Sequence, residues 1–112
     1  MDIINIGTTG SLTTEQAVDQ TLGAATKYSS ALSVKNFRPD GLLGMGFQSI
    51  SAYNATPVFK NLVSEGQTDQ PVFSFKLATS GSELYLGGAN SALYTGDFSY
   101  TPVTNQVSCG LG

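Results

Sequence analysis

Apolar residues fall in short runs separated by Gly, Pro, Ser and Thr, the punctuation of a mainly β chain. Asp2-Ile3-Ile4-Asn5-Ile6 is a β-branched run that stops at Gly7-Thr8-Thr9-Gly10, and a second strand is expected over Leu12 to Val18. Gln20 to Thr26 is ambiguous; its small residues fit a strand packed closely against another backbone. In Lys27 to Arg38, Leu32, Val34 and Phe37 stand among polar residues, and a loop with a short helical turn is expected. In Asp40-Gly41-Leu42-Leu43-Gly44-Met45-Gly46-Phe47, three glycines alternate with apolar residues. A tight, buried turn accounts for them better than a phosphate cradle, because no Lys-Ser/Thr or GxGxxG helix start follows.

One helix is expected at about 57–65. Thr56 is placed to cap it, Pro57 suits its first position, and Gly66 suits the position after its end. Val58, Phe59, Leu62 and Val63 make an apolar stripe for the core, while Lys60, Asn61 and Glu65 face water. Three further strands follow. Phe73, Phe75 and Leu77 share a face, Glu83-Leu84-Tyr85-Leu86 stops at Gly87-Gly88, and Phe98-Ser99-Tyr100-Thr101 stops at Pro102.

At 112 residues the chain is the size of one small domain, and 40% hydrophobic content supports one modest core. Charged residues are only 12%, with a net charge of −3, so a nucleic-acid partner is not expected. No apolar run is long enough to cross a bilayer, and no membrane partner is expected. The chain has no His, which excludes Ser-His and Cys-His nucleophile pairs and imidazole metal sites. Its one Cys, Cys109, cannot form an intrachain disulfide. Met1-Asp2-Ile3 opens without a basic or an apolar leader region, so no signal peptide is expected within the chain.

The eight carboxylates are the main catalytic resource. Acid–base work with two of them needs burial and proximity, and no two share a motif. Glu65 and Asp69 flank the helix end and are expected in solvent; Asp40 is expected to cap backbone N–H groups beside the glycine-rich turn. No loop gathers the acidic residues a Ca²⁺ site needs, and no metal or cofactor is expected. Asn54-Ala55-Thr56 is a glycosylation sequon, weakened as an acceptor by Pro57. Tyr53, Tyr85, Tyr94 and Tyr100 could line a sugar- or peptide-binding surface, although half-buried packing is the commoner role for strand tyrosines.

Together these segments resemble the pepsin-like aspartic proteases. Asp40 to Ser51 resembles the family's DGILGLG-x-x-SIS stretch, and Ala55-Thr56-Pro57-Val58-Phe59-Lys60-Asn61-Leu62 resembles its ATPVFDNL helix. Val72 to Leu77 is similar to the LFSVYL strand. Glu83 to Gly88, Tyr94-Thr95-Gly96 and Tyr100 to Val103 are similar to the LxLGG…YTG…xxPV ladder. The likeness is strong over about 22–104, looser upstream, and lost in the tail 105–112. Its flavour is that of fungal, secreted members. Gly23-Ala24-Ala25-Thr26 would then match the family's FGxAT strand.

The resemblance implies a mainly β fold, one truncated pepsin-like domain over 1–112 with a single clear helix. It implies that Asp40, Gly41, Leu43 and Gly44 support the ψ-shaped loop that cradles a catalytic Asp. Leu42 would line a substrate side-chain pocket, with Leu32, Val34 and Phe37 near it. The family's two catalytic Asp each sit in an Asp-Thr/Ser-Gly motif, and this chain contains neither form. The expected function is therefore that of a non-catalytic homologue of secreted aspartic endopeptidases. A small protein that binds glycans, peptides or proteins through tyrosines is the alternative. An enzyme with a different carboxylate site, built on Asp40 and Asp97 across a dimer, is a third. Strand edges left open by a partial lobe would favour a homodimer.

Overall fold

The computed structural model of the chain describes residues 1–7 and 14–106. Leu12, the Thr8-Thr9 pair and Cys109 lie outside the described residues. Strand β1 (Asp2–Ile6) pairs antiparallel with β2 (Glu15–Gln20). Ile4 faces Ala17 and Ile6 faces Glu15, yet Asp2 faces Gln20, so β2 carries one extra residue after Ala17. Asp19 takes up that residue with φ +52°, a conformation Asp tolerates better than most side chains. In a regular strand, residues three apart point to opposite faces. The bulge is what lets both Ala17 and Gln20 be buried.

Helix α1 (Val58–Ser64) lies against β2. Val58 and Leu62 are buried with Ala17, and Ile4, Ile6 and Leu86 close around them. The helix ends as expected. Gly66 has φ +68°; its N–H donates to Val63 O at 3.1 Å, and that of Gln67 to Leu62 O at 2.9 Å, a Schellman closure. The start differs from expectation. Pro57 is the N-cap and Thr56 supplies no side-chain cap. Instead the Thr56 carbonyl accepts a 2.9 Å bond from Gln20 Nε2. Gln20 Oε1 accepts from Asn61 Nδ2 at 2.7 Å, so Asn61 faces the strand rather than water. A buried amide with these partners has no unmet polar demand at either end.

The outer edge of β2 is covered by side chains from the helix end. The Val18 N–H donates to the Glu65 carboxylate at 3.1 Å, and the Gln16 N–H to Gln67 Oε1 at 3.3 Å. Glu65 is thus a strand-edge acceptor, not a free surface charge.

Strands β3 (Phe73–Lys76) and β4 (Glu83–Leu86) form a second antiparallel hairpin. Phe73 meets Phe59 of α1 edge-on, with ring centroids 4.8 Å apart. Phe75 and Leu77, expected on one face with Phe73, are exposed, while Phe73 is partly buried against Phe59 of the helix. Gly87 follows β4 with φ +84°, and a Cβ there would stand 3.1 Å from the Asp69 backbone N. Residues 23–26 and 98–101, expected as strands, carry no ladder, since none of the described strands pairs with them.

The architecture is mainly β with one α-helix among the described residues, as a partial pepsin-like lobe requires. Its core is small. The chain exposes 9349 Å², against about 5,900 Å² for a compact monomer of this mass. Its radius of gyration is 15.8 Å, against about 13 Å for a compact domain of this length.

One carboxylate is held at a cost. Glu15 Oε2 and the neighbouring loop hydroxyl Thr68 Oγ1 are buried without hydrogen-bond partners among the described residues. Burial raises the Glu15 pKa above its ordinary 4.5, and the Asp69 carboxylate raises it further. The folded state therefore holds this proton at pH values where the unfolded state has released it. Its contribution to stability is full below pH 4.5 and declines as pH rises through the raised pKa. Glu15→Gln is predicted to flatten this decline and to raise the urea midpoint at neutral pH, measured by urea melts from pH 3.5 to 8. Gly87→Ala is predicted to lower stability by about 1–2 kcal/mol through its left-handed backbone. Gly41→Ala and Gly44→Ala, where a Cβ meets open space, are predicted to change it by less than about 0.5 kcal/mol in the same melts.

Candidate substrate-wall loops

The loop from Lys27 to Arg38 is organised by one carbonyl. Ser30 O accepts from the Ser33 N–H at 3.2 Å, from Ser33 Oγ at 2.7 Å and from Asn36 Nδ2 at 2.8 Å. The Ser33 carbonyl then takes the N–H groups of Asn36 and Phe37. This knot follows the short 3-10 turn Ser30–Leu32 and sets Leu32, Val34 and Phe37 along one cleft of about 530 Å³. Asp40, Gly41 and Leu42 complete that wall, with Arg38 and Tyr28 also on the lining.

A second open cleft, about 390 Å³, lies between the glycine-rich segment and the helix start. Leu42, Leu43 and Gly44 line it together with Gln20, Tyr53 and Val58. Leu42 is shared by the two clefts and is 77% exposed. The glycine-rich segment is not the tight, buried turn its spacing predicts. Gly41 and Gly44 have no left-handed φ, and beyond their chain neighbours no atom stands within 4 Å of where their Cβ would be. Gly46 alone is crowded, by Ile50 Cδ1 at 2.9 Å. Asp40 is exposed and makes no hydrogen bond among the described residues, so it does not cap this turn.

The eight residues singled out as pocket and loop support thus border one continuous surface. Tyr53, Tyr28 and Gly23 join them and were not assigned there from sequence. Gly23 carried a signal in its small size: a Cβ there would stand 2.9 Å from the Tyr53 hydroxyl. Asn54 is separate, on an exposed turn. Among the described residues the carboxylates do not converge on either cleft apart from Asp40. The approach of Glu15 to Asp69 is away from both. Among the described residues no cluster of three His, Cys, Asp or Glu could hold a metal ion.

A third groove, about 500 Å³, is aromatic. Tyr94 and Phe98 meet with centroids 4.5 Å apart and ring planes tilted by 41°, and Tyr100 continues the row at 6.3 Å from Phe98. Tyr94, at 40% exposure, is close to the half-burial common for strand tyrosines, whereas Tyr100 is 84% exposed.

Comparison with known proteins gives the surface its context. An aspartic protease of Phaffia rhodozyma is 47% identical over 92 residues, 82% of this chain and 22% of that protein. A cathepsin D of Dictyostelium discoideum is 39% identical over 104 residues, 89% of this chain and 26% of that protein. Pepsin A of Sus scrofa is 47% identical over 68 residues, 58% of this chain and 18% of that protein. The chain therefore spans about a quarter or less of the length of these relatives. The family model for eukaryotic aspartyl protease matches residues 4–111, nearly the whole sequence, and the chain belongs to that pepsin-like family.

Proposed function

We propose that these 112 residues form a supporting wall of a pepsin-like substrate site, from a fungal and secreted protein, and do not hydrolyse peptides by themselves. The observation that carries this reading is the sequence itself, which holds no Asp-Thr-Gly and no Asp-Ser-Gly. In this reading Leu42, Leu32, Val34 and Phe37 offer apolar contacts to substrate side chains. Asp40, Gly41, Leu43 and Gly44 form the arm that backs a catalytic Asp. Open space at Gly41 and Gly44 supports it, because small residues there leave room for a neighbouring backbone. The fungal source is supported by the likeness to the Phaffia rhodozyma protein.

The aromatic row of Tyr94, Phe98 and Tyr100 supports a second reading, a binding protein for glycans or peptides, since neighbouring exposed rings offer apolar faces. Saturable binding to a glycan or peptide array, lost in Tyr100→Ala, would favour it over the first.

Either reading leaves apolar surface to be covered. The excess over a compact monomer is roughly 3,500 Å², several times the ~800 Å² per partner of a stable interface. A second copy is the occupant proposed for the isolated chain. Sedimentation velocity from micromolar to near-millimolar concentration is predicted to show reversible self-association; a single monomer boundary throughout would remove the homodimer. A quenched peptide library, assayed from acid to neutral pH with and without a transition-state inhibitor of aspartic proteases, is predicted to show no inhibitor-sensitive cleavage. Cleavage that the inhibitor abolishes would overturn the main reading.

A further inference from the structure

We propose that Asn54 accepts an N-linked glycan when the chain passes through a eukaryotic secretory lumen. The sequence supplies Asn54-Ala55-Thr56, with a residue other than Pro in the middle. The structure supplies the rest. Asn54 lies on an exposed turn with φ +50°. Its backbone is engaged: the N–H donates to Ser51 O at 3.0 Å, and the carbonyl accepts from Gln48 Nε2 at 2.9 Å. Its side-chain amide has no hydrogen bond among the described residues, so a sugar on Nδ2 would displace no contact. The sequence offers Thr56 a competing task as helix cap, which it does not perform in the structure. Pro57 is the N-cap, and the Thr56 contact is made by its carbonyl, leaving the hydroxyl without a structural bond among the described residues.

The step needs one co-reactant, an oligosaccharide linked to a polyprenyl diphosphate. Asn54 Nδ2 attacks the anomeric carbon of the first sugar. The bond from that carbon to the diphosphate oxygen breaks, and the polyprenyl diphosphate leaves with the electron pair. Nδ2 gives up one proton to a base of the transferase and keeps the other. Nothing is oxidised or reduced. The rigid ring of Pro57, directly after the sequon, restricts Thr56 to extended backbone and keeps occupancy partial.

Asn also favours left-handed backbone, and that preference alone would explain Asn54 in its turn. The experiment must separate the two roles. The full chain behind a secretory leader is translated into microsomes carrying the transferase, and products are resolved with and without an N-glycan-removing endoglycosidase. A background variant, Ser80→Asn, completes a reporter sequon with Gly81 and Ser82 on the exposed turn between β3 and β4 and reports delivery to the lumen. The expected result is a sensitive band in wild type at partial occupancy. Thr56→Val and Asn54→Gly should abolish it, and Pro57→Ala should raise it at least twofold. If the Ser80→Asn reporter is modified while wild type and Pro57→Ala carry nothing at Asn54, the proposal is overturned. The proposal uses the secretory reading only for its compartment. The microsome supplies that compartment, so this outcome is distinct from a failure of the functional reading.

Discussion

The seating of α1 on the bulged strand β2 is the constraint on which the other described elements depend. A seven-residue helix has no independent stability in water. It persists here because Val58 and Leu62 find Ala17, and because its polar ends are tied to the same strand. Gln20 holds the helix start through Thr56 O and Asn61, while Glu65 and Gln67 bind β2 from the helix end. The first tie relies on the extra residue at Asp19, which turns Gln20 inward. The second hairpin is attached more lightly, through Leu86 and the Phe59–Phe73 contact.

The clefts hang from this nucleus. One cleft has Gln20, Val58 and the helix start as its inner wall; the other is loop throughout, held by local bonds such as those to Ser30 O. Local bonds fix the shape of a loop without burying it. Leu42 and Leu43 therefore stay exposed, and no Cβ-sized space at Gly41 or Gly44 is filled. A surface of this kind stays open to solvent unless other polypeptide covers it.

Local signals were legible in the sequence. The apolar stripe and Gly66 placed α1 within a residue of each end, and the motif order pointed to the family the comparisons then showed. Leu32, Val34, Phe37 and Leu42 were named as neighbours and do share a cleft. Non-local pairings were not legible. Nothing near Gln20 announces a bond to Asn61, 41 residues away, and nothing near Glu15 announces Asp69. The strands expected at 23–26 and 98–101 have suitable residues but no partner among the described strands, and a strand exists only by pairing. The glycine spacing at 41–46 shows that space is needed, not who fills it.

Site-resolved amide hydrogen exchange on the isolated chain tests this account most directly. The account predicts the slowest exchange in β2 and in α1 through Gln67, with residues 38–47 near the rate of an unfolded peptide. Protection across 38–47 equal to that of α1, at concentrations where the chain is monomeric, would contradict it. The loops would then be held by packing within the chain itself, and the open face on which the functional reading stands would not exist.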